Sequence, residues 1–396
     1  NGTAKEAAAL VAFFNGSVDD DTVIGVDIRG RDWGNVSDWA SLRQDNGNPD
    51  PIGVQYWEIG NEIYGGKQGD GTDCTSYGWE DVWTCDGTEY VNGIGSGANR
   101  REGFLEYREA MQAVDPTISV GAVGVPFPSD WSDWGNEVIA AAGDAMDFYI
   151  VHQYAYFQPP SSYKEILEEP YFTWPPLMAD LRRAFDQYAG GRQIPVAVTE
   201  YNMVSVGEQD NGQLMTRLVN ALFMADTVGQ MMANGVQIAA QWDMANGQVN
   251  NGSDYGLINV DSYDPYPQYF VYRLWSEFGD KMLPVTNALS AESILSVYAG
   301  QLDADTITVL AINKTDEAID ASIFLQNSPT IVSGFADVLA GESLDSQTIS
   351  FNGQKSPAPD FSDAPASPIT IDGNPFMYHF APYSVTLLSL DVAPSS

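Results

Sequence analysis

A chain of 396 residues is long enough for one barrel with a smaller domain, or for two or three ordinary domains. Fifty-four acidic against 17 basic side chains leave a formal net charge of -37, which disfavours nucleic acid and anionic membranes as partners. No apolar run reaches the roughly 18 residues of a membrane span, so no membrane partner is expected.

The acid is spread along the chain rather than gathered in a tail. It reads as a solvated surface, suited either to a high-salt medium or to an ordinary acidic secreted enzyme. Both cysteines, Cys74 and Cys85, fall in one Gly- and Asp-rich loop far in sequence from His152 and His379. That is too few ligands for zinc, so no metal is expected. A disulfide closing the loop is the expectation, and with it an oxidising, extracellular compartment; two unpaired thiols are the alternative. The chain begins at Asn1 without a basic and apolar leader, so a targeting segment is expected to be absent or removed.

Residues 4–14 are strong helix formers behind Thr3, a capping side chain, and ahead of Asn15-Gly16, a stop. Residues 23–26 are a short extended piece, and 33–42 a helical turn or two. Residues 54–59 are an apolar run that breaks off in Gly60-Asn61-Glu62, setting a carboxylate at the mouth of a buried strand. A Gly-rich loop over 64–97 carries Tyr77, Trp79, Trp83 and Tyr90. A loop of that length leaving a candidate catalytic residue predicts a lid or substrate wall; the plainer reading is a cover whose aromatics pack.

Helices near 99–114, 134–142, 176–188, 212–234 and 268–278 then alternate with strands at 118–123, 148–152, 194–199 and 237–242. Such alternation predicts a parallel sheet with helical crossovers. No phosphate-cradling glycine fingerprint opens any of the helices, which favours a barrel over a doubly wound sheet. Five strands end near Glu62, Val123, His152, Glu200 and Trp242, three short of a closed (β/α)8 TIM barrel. Either residues 23–26 supply another strand or, the preferred reading, the chain is N-terminally truncated and lacks the first three. Beyond Leu283-Pro284 come short β-rich runs at 293–298, 306–313, 318–325, 331–338, 348–351, 376–380 and 384–390, with a Pro-rich loop at 356–368. These predict a β-sandwich. The expected organisation is thus an α/β barrel over 1–282 and an all-β sandwich over 283–396.

Two carboxylates at strand ends suit cleavage of a glycosidic bond with retention. One is held protonated as acid and the other ionised as nucleophile, about 5 to 5.5 Å apart. Glu62 is assigned acid/base, with the Asn61 amide beside it to hold a sugar hydroxyl, and Glu200 nucleophile. A single Glu at a strand end is more often structural; two in this context reverse that preference. His152 with Tyr154 is placed to tune or orient the nucleophile, or is a satisfied core histidine. Trp242 offers an indole face to a sugar ring, or packs. The carboxylate pair needs no metal or organic cofactor.

Tyr56-Trp57-Glu58-Ile59-Gly60-Asn61-Glu62, Val198-Thr199-Glu200-Tyr201-Asn202 and His152-Gln153-Tyr154 together resemble family 51 glycoside hydrolases, the α-L-arabinofuranosidases of clan A, with family 39 enzymes close behind. The segment 268–279 and the β-rich tail look like that architecture too. In that clan the acid/base Glu after Asn ends the fourth barrel strand and the nucleophile ends the seventh. The resemblance therefore implies these roles for Glu62 and Glu200, and strands one to three before Asn1. It implies a secreted, retaining α-L-arabinofuranosidase with an arabinose-containing poly- or oligosaccharide as its partner. A second reading keeps the mechanism and changes the sugar, to a β-xylosidase, β-glucanase or agarase-like activity. A third is a non-catalytic carbohydrate-binding relative. The Asn-Glu motif does not select the sugar, and nothing in the residues sets the oligomeric state.

Overall fold

The computed structural model describes residues 2–68, 78–327, 330–358 and 360–393. The chain divides into two compact units, Asn1–His152 with Leu177–Thr199, and Gln153–Pro176 with Glu200–Ser396.

The first unit opens with α1 (Ala4–Asn15). Thr3 Oγ1 accepts the Glu6 N–H at 3.2 Å and caps it, and the Gly16 N–H closes it on Ala12 O. Ala8, Ala9 and Ala12 of this helix pack with Ile24, Trp33 and Val36, the last opening α2 (Val36–Asp45). Residues 23–26 make isolated bridges, Val23 with Asn35 and Val26 with Asp32, and form no strand. They do not add to the sheet.

After β1 (Tyr56–Ile59), the segment expected as one long loop holds β2 (Gly66–Gln68), its parallel partner β3 (Glu80–Val82) and α3 (Gly87–Asn92). Tyr90 of α3 is core, packed on Phe104 and Trp134. Its hydroxyl donates to Ile59 O at 2.8 Å and accepts from Val123 N at 3.1 Å. Tyr77 and Cys74 lie outside the described residues. The Cys74–Cys85 bridge therefore stays an expectation, although Cys85 is not a free thiol.

The alternation continues through α4 (Phe104–Val114), β4 (Ser119–Val123), α5 (Asp130–Ala142), β5 (Phe148–Tyr156), α6 (Tyr163–Tyr188) and β6 (Val196–Val204). In α5, Trp131, Ser132 and Asp133 have positive φ, so regular helix begins at Trp134 as expected. By contrast α6 starts well before the expected 176. Pro170, Pro175 and Pro176 lie inside it, and such residues read from sequence as breaks. β1 pairs parallel with β4, and β4 with β5, in a register that aligns Glu58 with Gly121 and Gly121 with Phe148. The strands β5 and β6 run on into the second unit, where β7 (Ile238–Ala239) comes last in a five-stranded sheet of order β1-β4-β5-β6-β7. These five strands are the five expected.

The second unit also contains α7 (Leu218–Ala233), α8 (Pro267–Ser276) and the β-rich region. Its strands are β8 (Lys281–Leu283), β9 (Leu295–Gln301), β10 (Thr306–Asn313), β11 (Ile319–Ile323), β12 (Ile331–Ala340), β13 (Ser350–Phe351), β14 (Gln354–Lys355), β15 (Ser367–Pro368), β16 (Phe376–Phe380) and β17 (Ser384–Val392). An antiparallel sheet of order β14-β13-β12-β17-β10-β9-β8, with β15 on β12, faces the small sheet β11-β16. Phe376 and Phe380 of the small sheet pack on Leu295, Val309, Leu388 and Leu390 of the large one. α7 and α8 cover the other face of β17. Because β17 is buried on both faces, residues 384–388 are all core and the alternation of a half-exposed strand is lost.

Inside this unit Asp226 of α7 and Lys314 form an ion pair at 2.5 Å, both side chains almost fully buried. Ser296 and Tyr298 donate their hydroxyls to Asp226, while Lys314 Nζ donates to the carbonyls of Leu167, Ala291 and Glu292. Every charge there is answered by a hydrogen bond.

Candidate active site

In the first unit the chain leaves β1 through a tight turn. Gly60 has φ +96°, and a Cβ there would lie 2.3 Å from Ile63 Cδ1, so only glycine fits. Glu62 follows in the left-handed region, φ 41°. Its Oε1 lies 3.0 Å from His152 Nδ1, and its Oε2 accepts the Trp79 indole N–H at 2.6 Å. The Tyr64 hydroxyl sits at 3.4 Å from Oε1. Tyr64, Trp79 and Trp131 pack on one another with ring centroids 5.3 to 6.3 Å apart, an aromatic wall beside the carboxylate. Burial pushes the Glu62 carboxyl up. The hydrogen bond and charge of His152, with the bonds from Trp79 and Tyr64, outweigh it and hold the group below the ordinary carboxylate range.

His152 is buried, and its Nε2 lies 3.0 Å from Thr199 Oγ1. Its pairing with Glu62 is a partner that the sequence reading did not give it. Asn61 is exposed, and its amide donates to Glu80 Oε1 at 3.0 Å.

In the second unit Glu200 stands within β6, which continues to Val204 instead of ending at the carboxylate. The Tyr154 hydroxyl donates to Glu200 Oε2 at 2.8 Å. Alternation along the strand turns Tyr201 the other way, where its hydroxyl meets that of Tyr272 at 2.9 Å. Asn202 Nδ2 donates to Trp242 O at 2.7 Å, and Trp242 N donates to Tyr201 O at 3.2 Å. Trp242 lies beyond the short β7, yet β6 fixes its backbone, and the residue is 41% exposed. Trp79, Tyr64 and Thr199 are the neighbours of these groups that sequence reasoning missed. Only Trp79 carried a signal, as one of the aromatics in the loop after Glu62.

A sheet of this strand order with helical crossovers, followed by an antiparallel β region, has the fold of solved glycoside hydrolases. The α-L-arabinofuranosidase of Thermotoga maritima in complex with arabinose matches at TM-score 0.69 and 19% identity, over 99% of this chain and 74% of that one. The family 51 α-L-arabinofuranosidase of Thermotoga petrophila matches at 0.69 and 20%, over 99% and 74%. A family 44 xyloglucanase of Paenibacillus polymyxa, with xyloglucan, matches at 0.57 and 18%, over 86% and 67%. At these identities the likeness is one of fold. No protein-family model and no curated protein matches the sequence.

Proposed function

We propose that this protein is a retaining glycoside hydrolase, an α-L-arabinofuranosidase acting on arabinose-containing polysaccharide, with Glu62 as acid/base and Glu200 as nucleophile. The observation that carries the reading lies on one strand. In β5, His152 holds Glu62 and Tyr154 holds Glu200, and residues two apart on a strand point to the same face. The fold likeness to family 51 enzymes supports the choice of sugar. Likeness to the xyloglucanase supports a β-glucan as the second reading.

In the first step the Glu200 carboxylate bonds to the anomeric carbon, the glycosidic C–O bond breaks, and the leaving oxygen takes a proton from Glu62. Water then attacks the glycosyl-enzyme, giving its proton to Glu62 and releasing Glu200. The Tyr154 hydroxyl favours the ionised form of Glu200. Asn61 and Trp242 are read as substrate contacts. Residues 1–282 are read as a partial (β/α)8 catalytic barrel, 283–396 as a β-sandwich, and the protein as secreted.

Aryl glycosides test the assignment. The protein should hydrolyse an aryl α-L-arabinofuranoside in preference to the β-xyloside and β-glucoside. Glu200→Ala should lower turnover by several orders of magnitude, with azide yielding an inverted product. Glu62→Ala should still be glycosylated by activated substrates and release a retained azide product. Near-normal activity in either variant, or one azide stereochemistry from both, would show that these are not the catalytic pair.

A further inference from the structure

Glu58 is the one charged residue in the apolar run 54–59, four positions before Glu62. Its Oε1 is buried and makes no hydrogen bond among the described residues, yet lies 3.7 Å from His152 Nε2. The sheet register sets Glu58 and His152 on one face. Glu58 aligns with Gly121, and Gly121 with Phe148; a Cβ at 121 would sit 2.1 Å from the Phe148 ring, so the row across β4 carries no side chain there. His152 lies further along β5 on the face of Phe148. The imidazole thus has a carboxylate toward each ring nitrogen, Glu62 at 3.0 Å from Nδ1 and Glu58 at 3.7 Å from Nε2.

Resting on the glycosidase reading, we propose that Glu58 is a positioning residue whose negative charge retains the proton shared by His152 Nδ1 and Glu62 Oε1, extending to higher pH the range in which Glu62 acts as acid. As the glycosidic bond breaks, that one proton passes through Glu62 to the leaving oxygen, leaving a neutral imidazole and a carboxylate. Water returns a proton when its oxygen bonds to the anomeric carbon and the bond to Glu200 breaks. Thr199 of β6 is neutral, and Glu200 follows it in the chain. Tyr64 and Trp79 reach Glu62, and Tyr90 of α3 stays a phenol, its hydroxyl shifted upward by burial first and by the Glu58 charge last.

The chain has two histidines, so their imidazole NMR signals can be followed separately and assigned with His379→Gln. In Glu58→Gln the His152 titration midpoint should fall by about one pH unit or more, the usual effect of removing an opposite charge at this distance. The basic limb of kcat/KM should move down with it, and Glu58→Asp should restore part of both. An unchanged His152 midpoint overturns the proposal whatever the activity. If Glu58→Gln does not fold, the Asp variant, with its charge drawn back by one methylene, supplies the same comparison. A wild-type protein with no glycosidase activity, but with a midpoint that shifts, would instead refute the function proposed above.

Discussion

Both histidines of this protein offer Nδ1 to a carboxylate, His152 to Glu62 at 3.0 Å and His379 to Asp320 at 2.8 Å. The His152 side chain is 4% exposed and the His379 side chain 66%. A second contrast repeats the first: Asp226 and Lys314 meet in the interior, while Glu342 and Lys355 meet at 3.2 Å on the surface. The pairings are alike, and solvent makes the difference. On the surface water replaces a lost partner at little cost, whereas in the interior the survivor is left as a bare charge or an unmet hydrogen bond. A buried pair therefore sets a protonation state or a packing arrangement, and an exposed pair sets almost nothing.

The sharpest way to break this comparison is to remove one partner from each lysine pair. Lys314→Met strands Asp226 and should cost about 3 to 5 kcal/mol in denaturant unfolding, against about 0.5 kcal/mol or less for Lys355→Met. Molar salt should erase the second effect and leave the first. Equal costs would show that burial does not govern the pairs. Next come the histidines. His152→Gln should lower turnover about a hundredfold, equivalent to roughly 2.7 kcal/mol of barrier, while His379→Gln should leave kcat and KM alone.

A smaller effect probes burial without a charged partner. Burial raises Glu169 to about 6 from 4.5, against a hydrogen bond from Thr173 that lowers it. A carboxyl raised on folding binds its proton more tightly in the native state. Its contribution is thus full below pH about 4.5 and is lost as pH rises through about 6. Glu169→Gln should make the protein roughly 1 to 2 kcal/mol more stable above that window and flatten the pH dependence within it. A stability curve that keeps its slope between pH 4 and 7 would place the titration elsewhere.

Much of this was legible in the residues. The strands of both regions announce themselves as apolar runs between turn residues, and Thr3 and Gly16 bracket α1 by chemistry that depends only on near neighbours. The start of α6 was hidden because Pro170, Pro175 and Pro176 argue against a helix that packing nevertheless stabilises. The bond from Trp79 to Glu62 follows from the path of a loop, which no periodicity encodes. Likewise the contact of His152 with Glu62 depends on the register of β4 with its two neighbours, a property of three strands at once. The carboxylates could be nominated from sequence, as could Tyr154 beside Glu200; the partners of Glu62 could not.

Tyr90 takes a position in the sheet that solvent commonly fills. Where β1 and β4 come to their ends, its hydroxyl receives one backbone N–H and serves one backbone carbonyl. The oxygen does what an intercalated water would do, but it is tethered to a core helix and cannot exchange. The hydroxyl bridges the two strands just before the turn that presents Glu62, and the bridge is inherited with the gene instead of recruited from the medium. The link between these two strand ends is in this sense written into the sequence.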